Sequence, residues 1–261
     1  DTVFLHDPDK VLPFRITNEF TQARYLTGSD FDVESIQPAG ELYWFGDEFG
    51  PYLFATDATG RVVEFHEVEV DGEIVRSPDH YAVNTPSVPG EVTFEVRRSR
   101  GFEGMAIAPD ESALYPMFEG PLWDEAAGAF ETDAEGRAYL RIIEFDLENR
   151  AFTDRQWKYR LGENGNNIGD FNMIDATRAL VIERDNGEGD PRRACAGEPQ
   201  PDCFNVPATF KRVYLVDFAQ ADADGFVEKT AYVDLMDIAD PKGVALTGTK
   251  GVALTGTIDE R

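Results

Sequence analysis

The 261-residue chain carries 24 basic against 50 acidic side chains, a formal charge of −26, with 42% hydrophobic and 12% aromatic residues. That much apolar material excludes a disordered chain, and the negative field excludes nucleic acid and anionic lipid as partners while it attracts cations. No apolar run approaches the roughly 18 residues of a membrane helix, and no charged-then-apolar leader opens the sequence, so we expect no transmembrane segment and a signal peptide already removed.

Taken in chain order, three segments share one layout: residues 30–70, 101–161 and 167–236. Each begins with a short alternating strand that has an acidic start, turns, and continues into a strongly hydrophobic strand that ends in acid. The first pairs are carried by residues 34–48, 103–119 and 170–183, with Trp44, Tyr115 and Leu180 expected to pack between repeats. Two further strands follow in each, at 51–56 and 61–70, at 138–147 and 151–161, and at 211–218 and 227–235. Turns such as Asp57-Ala-Thr-Gly60 and Asp222-Ala-Asp-Gly225 read as hairpin connections. Four antiparallel strands per repeat make a propeller blade. The expected fold is therefore all-β, a single propeller domain over 1–261 with blades at roughly 23–70, 101–161 and 167–236, incomplete at both ends. Residues 237–261 read as a loop or the start of a further blade, and there the octapeptide Lys242-Gly-Val-Ala-Leu-Thr-Gly-Thr249 recurs at 250–257. The one short helix candidate is 121–130, with an irregular loop as its alternative.

Cys195 and Cys203, the only two cysteines, lie eight positions apart in an insertion rich in Pro, Gly and Asp at 186–207. A loop there can close a disulfide, which places the chain in an oxidising compartment, periplasmic or extracellular.

Acids recur at equivalent places. Asp47 and Glu48, Glu119, and Glu183 with Asp185 end second strands, and Asp30, Asp32 and Glu34, Glu103, and Asp170 begin first strands. In a propeller the innermost strands face one another, so these carboxylates are expected to converge, and converging carboxylates stay ionised only with a cation among them. Ca2+ suits such a set because it takes six to eight oxygen ligands in flexible geometry. The expected metal ligands are Asp47, Glu48, Glu103, Asp170, Glu183 and Asp185. The alternative is that these residues cap turns, and that the acid surplus simply solvates the surface. Arg98 and Arg100 just before Glu103, and Arg184 between Glu183 and Asp185, place guanidinium groups beside the acids, where they suit a phosphate, although a counter-charged surface loop is the other reading for the first two. No G-x-S-x-G elbow, phosphate-binding loop or histidine pair of metal spacing is present.

Four segments carry a resemblance: Leu26-Thr-Gly-Ser-Asp-Phe-Asp-Val-Glu-Ser35, Trp44-Phe-Gly-Asp-Glu-Phe-Gly-Pro-Tyr52, Gly101-Phe-Glu-Gly-Met-Ala-Ile-Ala-Pro-Asp110 and Val181-Ile-Glu-Arg-Asp-Asn-Gly187. In order, and over nearly the whole chain, they resemble the phytase-like family, also called esterase-like activity of phytase. The resemblance implies an exported bacterial propeller protein. It also implies a further blade before the segment resembling residues 5–14 and a closing one after that resembling residues 236–240. Neither is present in this sequence, which is expected to be a processed or partial chain. The function expected on this basis is calcium-dependent hydrolysis of a phosphoric ester, with Glu48, Glu103 and Arg184 in the chemistry and Arg98, Arg100 and Arg184 on a phosphorylated small molecule. The alternative is a non-catalytic, calcium-stabilised propeller that binds a protein partner in the cell envelope. A carboxylic esterase, the weakest reading, lacks an identifiable nucleophile.

Overall fold

The computed structural model of the chain describes residues 2–84, 92–198 and 200–237; the repeated octapeptide and nearly all of the 237–261 segment lie outside the described residues. The described residues form an all-β structure, with three short 3-10 turns as their helical content. Three four-stranded antiparallel sheets follow one another along the chain. The first comprises β1 (Val33–Ala39), β2 (Leu42–Asp47), β3 (Tyr52–Thr56) and β4 (Val62–Glu67), and is followed by a small hairpin, β5 (Glu69–Val70) and β6 (Glu73–Ile74). The second comprises β7 (Phe102–Ile107), β8 (Ala113–Phe118), β11 (Tyr139–Asp146) and β12 (Ala151–Arg160), with a hairpin of β9 (Trp123–Asp124) and β10 (Ala129–Phe130) inserted. The third comprises β13 (Asn167–Met173), β14 (Arg178–Arg184), β15 (Lys211–Asp217) and β16 (Glu228–Asp234).

The inserted hairpin replaces the helix expected at 121–130. Its tight turn is set by Asp124, whose carboxylate accepts from the Ala126 and Ala127 amides, and by Gly128 at φ +62°. An Asx turn of this kind competes locally with helix and, next to a glycine in the left-handed region, prevails.

Strands β1, β7 and β13 lie side by side, β7 in the middle. Gln37 of β1 fastens them, donating to the Met105 carbonyl at 2.7 Å and to Asn172 Oδ1 at 3.2 Å. One apolar core joins the first and second sheets, with Trp44 and Leu53 against Phe102, Leu114 and Phe145. A second joins the second and third, with Met117, Leu140 and Tyr159 against Ile168, Phe171 and Val181. Trp44 and Tyr115 therefore sit where the sequence puts them, Tyr115 against Trp157 and Phe218. Leu180 does not. Neighbouring side chains on a strand point to opposite faces, and it is Ala179 and Val181 that enter the core. A third core covers the other face of the first sheet, where Leu12, Ile16 and Phe31 of the N-terminal segment pack on Phe45, Phe54 and Val62.

Each of the three central strands carries the same irregularity near its start. Pairing slips by one residue between Val33 and Ser35, between Phe102 and Gly104, and between Ile168 and Asp170. The residues set aside are Glu34, Glu103 and Gly169. Bulges of this kind re-aim a side chain and recur beside functional sites.

Candidate carboxylate site

The register makes the repeats comparable residue by residue. Opposite each slip stand Asp47, Phe118 and Glu183, paired with Val33, Phe102 and Ile168. One residue further along, just past the ends of β2 and β8 and at the last residue of β14, come Glu48, Glu119 and Arg184. The set-aside residues and these exit residues meet at one rim of the three central strands. There, Glu48, Glu103 and Glu119 bring carboxylate oxygens within 4.8 Å of one another, and Asp32, Glu34 and Glu48 do the same. Five acids thus form two triads that share Glu48.

The motifs around the rim have steric reasons. In Gly101-Phe-Glu-Gly104, a Cβ on Gly101 would lie 2.6 Å from the Glu48 carbonyl, and one on Gly104 would lie 2.9 Å from Phe171 Cβ. Phe102 is fully buried between sheets, and Glu103 is thereby left at the rim. Glycine permits these close backbone approaches, and they hold the loop after β2 and strand β13 tight against β7.

Burial and mutual repulsion shape the electrostatics. Glu48, buried and facing Glu119 and Glu103, has its carboxyl pushed up to about 9. Burial, then Glu119 and Glu34, push Glu103 up to about 7 despite nearby Arg184. Glu34 is raised by burial and by Asp32. Two guanidinium groups edge the cluster. Arg100 pairs closely with Glu119, and Arg184 Nη2 lies 3.4 Å from Glu119 and 3.6 Å from Glu103. A hard divalent cation with oxygen ligands fits this donor set, because it supplies the positive charge that protons must otherwise provide.

Beside the cluster, between the loop that carries Arg97 and Arg100, the inserted hairpin and the connection at 164–167, opens a cavity of about 320 Å³ reached by Arg97, Arg100, Glu119, Asn164 and Asn167. Arg97 lies 3.9 Å above the ring of Phe130 from the inserted hairpin. Nothing in the spacing of Arg97 and Phe130 announces that contact, since it depends on where the hairpin folds.

Of the expected ligands, Glu48 and Glu103 meet at the rim, and Arg100 and Arg184 flank them. The structure does not bring Asp47, Asp170, Glu183 or Asp185 into either triad. Asp47 is fully buried under the rim, accepting from the Asp32 and Gly50 amides at 2.8 Å each, and burial pushes it up to about 7. Glu183 is also fully buried; it accepts from the Gly162 amide, Asn166 Nδ2 and the Tyr159 hydroxyl and pairs closely with Lys229. Asp170 is one residue past the slip, and its carboxylate bonds the Phe171 amide and Asn172. Asp185 caps the end of the insertion, accepting from the Thr209 and Phe210 amides beside Lys211, and is held down at about 2. Arg98 turns away from the rim to Asp79, at 2.7 Å. A one-residue slip changes the face of a side chain, which is why acids aligned by sequence do not all converge. Asp32, Glu34 and Glu119 complete the triads, and the recurrence of acid at strand starts and ends is the signal that marks them.

Cys195 and Cys203 form a disulfide, Cα–Cα 5.0 Å, within the insertion. Among the described residues no helix is long and apolar enough to cross a membrane.

Among solved structures, the chain is similar to hydrazine synthase of Kuenenia stuttgartiensis at 13% identity and a TM-score of 0.29, over 77% of this chain and 49% of that one. It is also similar to U3-55K at 7% identity and a TM-score of 0.27, over 78% of this chain and 81% of that one. The chain thus spans about half the length of the hydrazine synthase chain. No curated protein matches it. The model of the phytase-like family, described as esterase-like activity of phytase, matches residues 1–258, and the chain belongs to that family.

Proposed function

We propose that this chain is part of a β-propeller that hydrolyses phosphoric esters with the help of calcium, outside the cytoplasm. The observation that carries the reading is the pair of triads sharing Glu48, with Arg100 and Arg184 at their edge. The three sheets are consecutive blades, β1, β7 and β13 their innermost strands, in a ring that further blades complete. Asp32, Glu34, Glu48, Glu103 and Glu119 would hold calcium. When bound, it neutralises ester phosphate charge and lowers the pKa of a coordinated water. Glu48 and Glu103 orient the attacking water by accepting its hydrogens. Arg184, whose contacts with Glu103 and Glu119 are long, retains donors for a phosphate oxygen and supports charge that develops there. Arg97 and the asparagines of the adjoining cavity face the remainder of a small phosphorylated substrate. The disulfide supports a periplasmic or extracellular location.

Purified protein should release phosphate from p-nitrophenyl phosphate with calcium and stop with chelator, and Glu103→Gln should abolish turnover. An absence of calcium-dependent turnover from acid to alkaline pH overturns the proposal. A second reading has its own support: the cluster joins acids of two sheets to a guanidinium of the third, so a cation there would rivet the sheets together without chemistry. That reading makes the chain a calcium-stabilised module for a protein partner in the envelope. Calcium that raises the melting temperature with no turnover would favour it.

A further inference from the structure

Apart from the carboxylate rim, the first sheet and its N-terminal covering segment enclose a cleft of about 610 Å³, a volume in the range of ligand sites. One wall is aromatic and rigid. Phe14 stacks at 5.6 Å on Tyr52 and at 5.3 Å on Tyr81, with ring planes within 23° of parallel. The Tyr52 hydroxyl accepts from the Tyr81 amide at 2.9 Å, which fixes the two rings relative to each other. Tyr81, which also stacks on His80 at 4.8 Å, is nonetheless 39% exposed, so part of this aromatic wall is open to solvent.

The polar lining differs in character from the rest of this acidic chain. Arg15 lines the cleft with no side-chain hydrogen bond or ion pair among the described residues. Arg98 commits only its Nε, to one oxygen of Asp79 at 2.7 Å, which leaves its terminal amino groups and the other Asp79 oxygen available. Asp30 cannot serve as a cation ligand: its two oxygens already accept from the amide and hydroxyl of Thr17 and of Thr27, at 2.6 to 3.0 Å. In a chain with 50 acids and 24 bases, two guanidinium groups with unused donors on one aromatic cleft are the reverse of what composition favours.

We infer that this cleft binds a ring sugar bearing an anionic substituent. The aromatic wall takes the C–H face of the ring, the free Asp79 oxygen and Ser29 accept from ring hydroxyls, and Arg15 and Arg98 donate to a carboxylate or phosphate. The site is independent of hydrolysis at the rim and of calcium.

Titration calorimetry in chelator, which silences cation-bridged binding at the rim, tests the assignment. Digalacturonate and glucose 6-phosphate probe the two anions, cellobiose the neutral ring, and phenyl phosphate an anion without the sugar. At least one acidic sugar should bind, with cellobiose and phenyl phosphate about tenfold weaker or more. Arg15→Ala and Tyr81→Ala, both at exposed positions, should each weaken the acidic sugar about tenfold. Arg98→Gln should weaken it too, whereas Tyr232→Ala, 65% exposed on β16, should change nothing. Binding of neither acidic sugar, equal binding of cellobiose or phenyl phosphate, or unchanged affinity in Arg15→Ala and Tyr81→Ala overturns the inference.

Discussion

The rim of the first two sheets and the rim of the third are built on the same backbone but bear different charge. At the slipped position and the strand exit, the first sheet supplies Glu34 and Glu48, the second Glu103 and Glu119, and the third Gly169 and Arg184. A fully repeated pattern would have produced six facing acids. The third sheet's departure from the pattern gives the rim two poles, carboxylates from two sheets and a guanidinium from the third. Beneath the rim a second contrast appears. Asp47 and Glu183 occupy the same register position in their sheets, but Asp47 is held by backbone amides alone, whereas Glu183 is held by a lysine, a tyrosine and an asparagine as well. A repeated position can thus keep its acid and change the means of satisfying it.

The largest expected effect comes from breaking the second contrast. Glu183→Ala strands Lys229, which lies largely buried over the rings of Tyr159 and Tyr214. Removing one partner of a buried pair costs about 3–5 kcal/mol, and urea unfolding should show a loss of that order. Next, Arg184→Glu supplies the strand-exit acid that the third sheet lacks, five of the six positions, with Gly169 unchanged. If the proposed chemistry is right, calcium should still bind while phosphate release falls about a hundredfold, the size of losing a charged donor to a developing anion.

The acid pole can be sharpened with pH. Glu48, Glu103 and Asp47 hold protons more tightly in the folded protein than in the unfolded chain, so their contribution to stability is fully present below the unfolded values of 3.8 and 4.5. It is lost as pH rises through about 7 for Asp47 and Glu103 and about 9 for Glu48. In chelator, the melting temperature should therefore fall across that window as these groups ionise. Calcium should offset the loss, by about 2.7 kcal/mol at a hundredfold excess over Kd, and the shift it produces should grow with pH. The smallest effect is expected for Asp47→Asn, whose single carbonyl oxygen can keep one of the Asp32 and Gly50 amides while its NH2 faces the other: about 1–2 kcal/mol in the same unfolding assay.

Much of this was legible in the sequence. Alternating strands and their turns gave three four-stranded repeats, and the eight-residue cysteine spacing fitted a closed loop. The phase of the acids was not, because a single set-aside residue in each central strand decides which neighbour faces the rim. Asp170 and Gly169 differ by one position, yet the slip makes Gly169 the counterpart of Glu103. The hairpin at β9 and β10 was hidden for a related reason: an Asx turn and one left-handed glycine outweigh weak helical spacing. Arg98 and Arg97 are adjacent and chemically alike in sequence, and only the folded loop sends one to Asp79 and the other to Phe130.

Glu48 belongs to both triads, and a shared donor links two equilibria. Two oxygens cannot satisfy two ions as fully as they satisfy one, so occupancy of the triad with Asp32 and Glu34 must alter affinity at the triad with Glu103 and Glu119, and the reverse by the same factor. Calcium titration of such a rim would not trace two independent saturation curves. Replacing Glu48 would remove the part of that coupling carried by the shared carboxylate and leave the repulsion between the two ions.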